Sequence, residues 1–233
     1  MQDIEYTTEQ VVAYCEADIT VSYKRSEEEV KGLTSVQTRS GIAQCVADAL
    51  EDQKSKIAVL MNTNALTEND VKELVLQTCL DHPTLAVEIP TVDVTMFTGE
   101  TSQRIFEITL HQSLSADETV QRRAVNDLIA QINSDAPDCA LQAAVLTAEC
   151  CDMNGDLGST AYDALVLGSA DSQGLAMAYR AVCDALDVDC LVINGQLDGG
   201  MHVWNIVSVG NERYHLDLVG YSGTLWMQPD RDI

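Results

Sequence analysis

Residues 200–218, GMHVWNIVSVGNERYHLDL, narrow the folds open to this chain more than any other stretch. Two runs of alternating apolar and polar residues flank Gly210-Asn211. That pair suits a two-residue turn with glycine first, so the segment predicts a β-hairpin with a type II′ turn. Val209 then faces Glu212 and Trp204 faces Asp217. Because successive side chains in a strand point to opposite faces, His202, Trp204, Ile206, His215 and Asp217 all project to one side, within reach of one another. The expected arrangement has Asp217 accepting the Nδ1 proton of His202, which orients the imidazole as a general base requires. A satisfied structural hydrogen bond across the hairpin is the plain alternative.

A base oriented in this way needs a nucleophile. The start of a helix is the place to look, because its backbone N–H groups and macrodipole favour a developing anion. SADSQGLAMAYRAVC, residues 169–183, opens such a helix. Asp171 and Ser172 are both good N-cap residues, so capping is the plain alternative role for Ser172.

Taken together, AYDALVLGSADSQGLAMAYRAVCDALDVDCLVINGQLDGGMHVWNIVSVGNERYHLDL, residues 161–218, resembles the core of the bacterial transglutaminase-like family, relatives of papain-type cysteine peptidases. That family reads roughly A-Y-x-A-L-x-x-G-x-x-x-C-x-G-x-A, then a helix, a strand with a following Gly, H-x-W-N-x-V, a tight turn and Y-H-x-D. The resemblance implies an α+β fold with a papain-like core, a helix packed on an antiparallel sheet. It implies His202 as the catalytic histidine and Asp217 as the third member of a triad. Trp204 and Asn205 match the W-N, Tyr214 and His215 the Y-H, and Gly174 the glycine two residues after the nucleophile. One position departs: the family's cysteine is here Ser172, and none of the chain's eight cysteines can stand in for it without breaking the alignment.

The departure matters chemically. The family's constellation works as a thiolate–imidazolium pair, and a thiol of pKa about 8.5 can be drawn into range at a helix N-terminus beside histidine. A serine hydroxyl must instead react with concerted proton removal by His202. Residues 170–174, ADSQG, also lack the first glycine of G-x-S-x-G, and the order Ser, His, Asp is not that of the α/β-hydrolases. Two readings follow. In one the protein is a catalytically impaired pseudoenzyme that binds a peptide, protein or glycopeptide in the cleft between the Ser172 helix and the His202 hairpin. In the alternative it is an acyl-transfer or amide-hydrolysing enzyme, with Ser172 either the working nucleophile or a substitution for cysteine. Tyr162 has a choice of its own, between core packing and pointing its hydroxyl at an oxyanion.

Composition removes several other classes. Thirteen Lys and Arg against 37 Asp and Glu give a formal net charge of −24, which repels phosphate backbones and argues against nucleic acid as a partner. No run reaches the roughly 18 apolar residues of a membrane span, and MQDIEYTTEQ is neither basic nor apolar enough for a leader. The expected location is therefore cytoplasmic, or extracellular and cell-surface if a leader has been removed. No cofactor and no metal is expected. There is no C-x-x-C, and the calcium-like run Asp152, Asn154, Asp156 has Leu157 where the required glycine belongs. The cysteines are expected to be reduced and packed, Cys183 and Cys190 among them.

The hydrophobic content of 46% suffices for one larger domain or two small ones. The expected division places an N-terminal region at 1–135 and the transglutaminase-like core at 136–233, with Ser134-Asp135-Ala136-Pro137 as the boundary. Residues 1–135 predict helices flanking one β-hairpin. A helix opens at Thr67 and buries Val71, Leu74, Val75 and Cys79. The strands VEIPTVDVTMF and RIFEITLHQ are joined at Thr98-Gly99-Glu100-Thr101, and a helix follows from Ser115 to about Asn133.

Overall fold

The computed structural model of the chain describes residues 2–11, 14–23, 25–62, 65–98, 102–112, 116–135, 139–152, 158–219 and 221–230. They form an α+β arrangement with three sheets. Strands β1 (Gln2–Val11) and β2 (Tyr14–Tyr23) pair antiparallel as a two-stranded sheet, Gln2 opposite Tyr23. Helix α1 (Glu27–Lys31) follows, with Glu27, Glu28 and Glu29 in its first turn where the macrodipole favours acids.

The second sheet has the order β3-β4-β6-β5, built from β3 (Thr34–Val36), β4 (Lys56–Met61), β5 (Thr91–Thr98) and β6 (Arg104–His111). β3 and β4 run parallel, and α2 (Arg39–Glu51) makes the crossover between them. The expectation of a single hairpin in 1–135 thus covered β5 and β6 and missed four strands. KIAVLM, residues 56–61, is a short continuous apolar run, and periodicity cannot tell such a run in a strand from one in a buried helix. Its place between β3 and β6, with Val59 and Met61 buried, decides the matter.

Helix α3 (Glu68–Asp81) begins where its residues predict. Thr67 N–H donates to Asp70 Oδ2 at 2.8 Å and Asp70 N–H donates to Thr67 Oγ1 at 3.2 Å, a reciprocal cap. The Thr67 hydroxyl, then its backbone N–H, hold the Asp70 carboxyl below the usual carboxylate range. Val71, Val75 and Cys79 are fully buried, and Leu74 packs half-buried against them.

Helices α4 (Ala116–Asp135) and α5 (Ala140–Glu149) lead to a short π-type turn at Asp163–Leu167, and then to α6 (Ser172–Ala185). α6 is apolar on nearly every side, as a central helix must be. Leu175 to Tyr179 and Ala181 to Cys183 are buried, and it packs against α4, α5 and the third sheet. The buried Tyr179 satisfies its hydroxyl by donating to the Ala140 carbonyl at 3.0 Å. That third sheet is antiparallel throughout, in the order β10-β9-β8-β7: β7 (Cys190–Leu197), β8 (Gly200–Val209), β9 (Glu212–Asp217) and β10 (Trp226–Pro229). One contiguous apolar core runs through both four-stranded sheets and the helices. Residues 99–101, 136–138 and 153–157, which carry the expected hairpin turn, the expected boundary and the calcium-like Asn154 and Asp156, lie outside the described residues.

Candidate active site

β8 and β9 pair in the register that their turn dictates, with Asn205 opposite Leu216, Ile206 opposite His215 and Val209 opposite Glu212. Gly210 takes φ 64° and Asn211 stays out of the left-handed region, as a type II′ turn requires. One step further along, Trp204 is level with Asp217 and His202 lies on the diagonal. His202 Nε2 is 2.7 Å from Asp217 Oδ2, with both side chains about 15% exposed. Val219 N–H donates to the other Asp217 oxygen at 2.9 Å, so both ends of the carboxylate are held.

Here the expectation needs correction: Asp217 engages Nε2 of His202, not Nδ1. The reason is reach. A diagonal neighbour is about 7–8 Å away, and of the two ring nitrogens the far one extends further toward it. Nδ1 is therefore the nitrogen left to exchange a proton with another group.

The opposite face of β8 belongs to α6. Val203, Asn205 and Val207 are buried there. The Asn205 amide donates to the Ala176 carbonyl of α6 at 3.0 Å, and it also lies 3.4 Å from the Leu191 carbonyl and 3.5 Å from Cys190 Sγ. Asn205 thus ties the helix that begins at Ser172 to the strand that carries His202.

At the start of α6, the cap is Asp171. Its carboxylate accepts from Gly174 N–H at 3.0 Å and from the Ser159 hydroxyl at 2.6 Å. Ser172 is the first helical residue, so the capping alternative for it does not hold. Its hydroxyl instead accepts from Val203 N–H at 3.3 Å, at a point where the β8–β9 pairing has already ended. That N–H belongs to the peptide bond that directly follows His202, which places Ser172 Oγ within about 6 Å of the His202 Cα. The serine meets β8 at its backbone edge, and the imidazole projects from the strand at the same level.

Two glycines make these approaches possible. A Cβ on Gly174 would lie 2.6 Å from the Ala170 Cβ and 2.9 Å from the Thr160 carbonyl, so only glycine lets the start of α6 seat against residues 158–160. A Cβ on Gly195, the β7 partner of His202, would come within 2.6 Å of the Trp204 ring. Gly195 is thus the floor on which the indole lies. On the His202 face of the sheet two large apolar side chains are exposed: Trp226, opposite Asp217, at 52%, and Leu197, two residues along β7 from Gly195, at 54%. Tyr162 is half-buried against the core.

Three features of this site escaped sequence reasoning: the Asn205 tie, the Ser159–Asp171 link beneath the helix start, and the partnering of His215. The alternation of the hairpin already placed His215 on the His202 face, but its partner Asp230 follows β10 and belongs to no local pattern.

No family model matches the chain, and no curated protein matches it. Solved structures do show similarity. A transglutaminase aligns over 72% of this chain and 52% of its own, at 10% identity with a TM-score of 0.39. A protein from Cytophaga hutchinsonii, described as a candidate cysteine protease, aligns over 56% of this chain and 62% of its own, at 10% identity with a TM-score of 0.36. The chain therefore spans about half the length of the first and about three fifths of the second. The functional reading rests on the side chains above and not on this likeness.

The cysteines leave the position of Ser172 to serine. Cys151 approaches the segment before α6, its thiol 3.9 Å from the Ala170 carbonyl, and burial pushes that thiol up, away from the thiolate form. Burial pushes Cys79 up to about 12. Cys190 is raised by a hydrogen bond with Cys183 and by burial, and both of these thiols are buried. In the native protein at pH 8, iodoacetamide should therefore modify the exposed Cys139 ahead of the other described cysteines and spare Cys79 and Cys190, as read by peptide mass mapping. Denaturing the unreduced protein should expose Cys183 and Cys190 as free thiols. Recovery of a peptide that carries both as a disulfide would refute their reduced packing.

Proposed function

We propose that this chain carries a transglutaminase-like site in which Ser172, His202 and Asp217 occupy the nucleophile, base and orienting positions. In this reading the serine leaves the site catalytically impaired, and the cleft between the start of α6 and β8 binds a peptide, protein or glycopeptide. The observation that carries the reading is the direct contact of the Ser172 hydroxyl with the backbone beside His202, while the ring of that histidine is gripped at Nε2 by Asp217. A nucleophile position at the first turn of a helix, a base with its second nitrogen engaged, and a carboxylate fixed from behind are the parts that acyl transfer needs. The helix N-terminus offers N–H groups to an oxyanion.

The impairment follows from oxygen in place of sulfur. Ser172 Oγ accepts from a backbone N–H, and a hydroxyl gains no stored anion from an imidazolium neighbour as a thiol does. Binding is supported by the exposed apolar side chains of Leu197 and Trp226 on the His202 face of the sheet, which suit the side chains of an extended peptide. The 136–233 segment contains every residue of the proposed site, and we take it as the functional unit.

The test is Ser172→Cys. The introduced thiol should react with iodoacetamide faster than the chain's other cysteines, with an apparent pKa well under the unperturbed value of about 8.5. Asp217→Ala should slow that reaction. A new thiol that reacts only as fast as an ordinary exposed cysteine would remove the triad reading. Labelling of Ser172 by a fluorophosphonate in the unaltered chain would instead make the serine a working nucleophile.

A further inference from the structure

We infer that His215 and Asp230 are positioning residues for His202, acting through the indole of Trp204; the inference rests on His202 being the base of the proposed site. The Trp204 Nε1–H donates to His215 Nδ1 at 2.8 Å. An indole nitrogen is only a donor, so His215 Nδ1 must present a lone pair and its ring proton must sit on Nε2. That nitrogen is 3.0 Å from Asp230 Oδ1, where a carboxylate accepts it. His215 is buried, with 7% of its surface exposed, and is fixed in one tautomer and one orientation from both sides.

What His215 holds is a plate. The Trp204 ring lies over Gly195, where a Cβ would come within 2.6 Å of it, and it stacks on His202 with centroids 6.1 Å apart and planes 20° from parallel. Its N–H edge meets His215, with centroids 6.2 Å apart and planes 32° from parallel. The His202 imidazole is thus confined by the indole on one side and by Asp217 at Nε2. Rotation about its Cβ–Cγ bond would have to displace one or the other. The line Asp217, His202, Trp204, His215, Asp230 runs across β8 and β9 to the residue after β10. Among the described residues no hydrogen bond joins its last two members to Ser172, and what they do for the site they do by holding Trp204, which in turn limits His202.

The experiment has two arms. In the Ser172→Cys background, His215→Leu removes the acceptor and should slow alkylation of the introduced thiol by about tenfold, whereas His215→Asn keeps an oxygen near the Nδ1 position and should stay within about threefold. Trp204→Phe should match His215→Leu, and the double variant should be no slower than either. In the chain that retains Ser172, long-range proton–nitrogen NMR of the histidine rings should show His202 signals that move in His215→Leu and return in His215→Asn. Unchanged His202 signals in His215→Leu would overturn the inference. So would a His215→Asn variant as impaired as His215→Leu, or a loss of thermal stability with the ring signals in place. If the introduced thiol never reacts quickly, the proposed function falls on that arm alone, and the NMR arm still decides whether His215 positions His202.

Discussion

Asn205→Asp should lower the thermal midpoint by about 10 °C at neutral pH, and the loss should shrink on acidification. The side chain is 1% exposed, and its amide faces the carbonyls of Ala176 and Leu191 and the sulfur of Cys190. An isosteric carboxylate turns the donor into an acceptor aimed at acceptors. A buried charge left without a partner costs about 3–5 kcal/mol, and each kcal/mol moves the midpoint of a chain this size by roughly 2–4 °C. The sign with pH follows from where the new carboxyl titrates. Folding raises its pKa above the unfolded value of about 3.9, so the unfolded state binds fewer protons between the two values and stability falls as pH rises through that window. Below it the protonated acid donates a hydrogen bond and the penalty disappears. Asn205→Leu is the control. It should lose less than half as much, because helix and strand carbonyls keep their backbone partners. A variant Asn205→Asp that melts with the parent at pH 7 would mean that the tie between α6 and β8 is absent. Differential scanning calorimetry between pH 4 and pH 8 reads all of these outcomes.

Gly174→Ala should damage the site more than the fold. Alanine in the interior of a helix ordinarily stabilises by up to about 1 kcal/mol relative to glycine. Here the added methyl would meet the Ala170 Cβ at 2.6 Å and the Thr160 carbonyl at 2.9 Å, and a backbone oxygen cannot turn aside. Overpacking costs about 1–3 kcal/mol, so the net result is a midpoint lowered by a few degrees. The first turn of α6 relieves the clash by moving, and it carries the residue at 172. Because a displacement of about 1 Å from productive geometry can cost a factor near 100, the fast alkylation expected of Ser172→Cys should be lost in the double variant. A rise in thermal midpoint, or an introduced thiol that keeps its rate, would show that the start of α6 does not depend on this close approach.

Much of the candidate site is legible in residues 200–218, because a strand has a side-chain period of two and a two-residue turn permits one register. Gly210 and the alternation around it are enough to put His202, Trp204, His215 and Asp217 on one face, and the pairing of Ile206 with His215 agrees. The same holds for α3, whose Thr67 and Asp70 announce its first turn, and for α6, whose small and apolar residues predict a buried helix. Strand β4 is harder to read because a short apolar run lacks a period to recognise, and β3, Thr34–Val36, because three residues are too few to show one.

The local sequence by itself determined periods, turns and caps, since these depend on residues within a few positions of one another. Only the tertiary structure decided which atoms meet. Asp171 and Ser172 are equivalent as caps until Ser159 approaches one of them and Val203 the other. The choice of Nε2 over Nδ1 depends on how far a diagonal neighbour lies in the sheet. Asp230 becomes the partner of His215 because β10 returns beside β9, and Asn205 reaches Ala176 because α6 packs on that face of β8. Each of these contacts joins residues 12 or more positions apart. Strand order and helix packing set such distances, and neither is written in a pattern that neighbouring residues share.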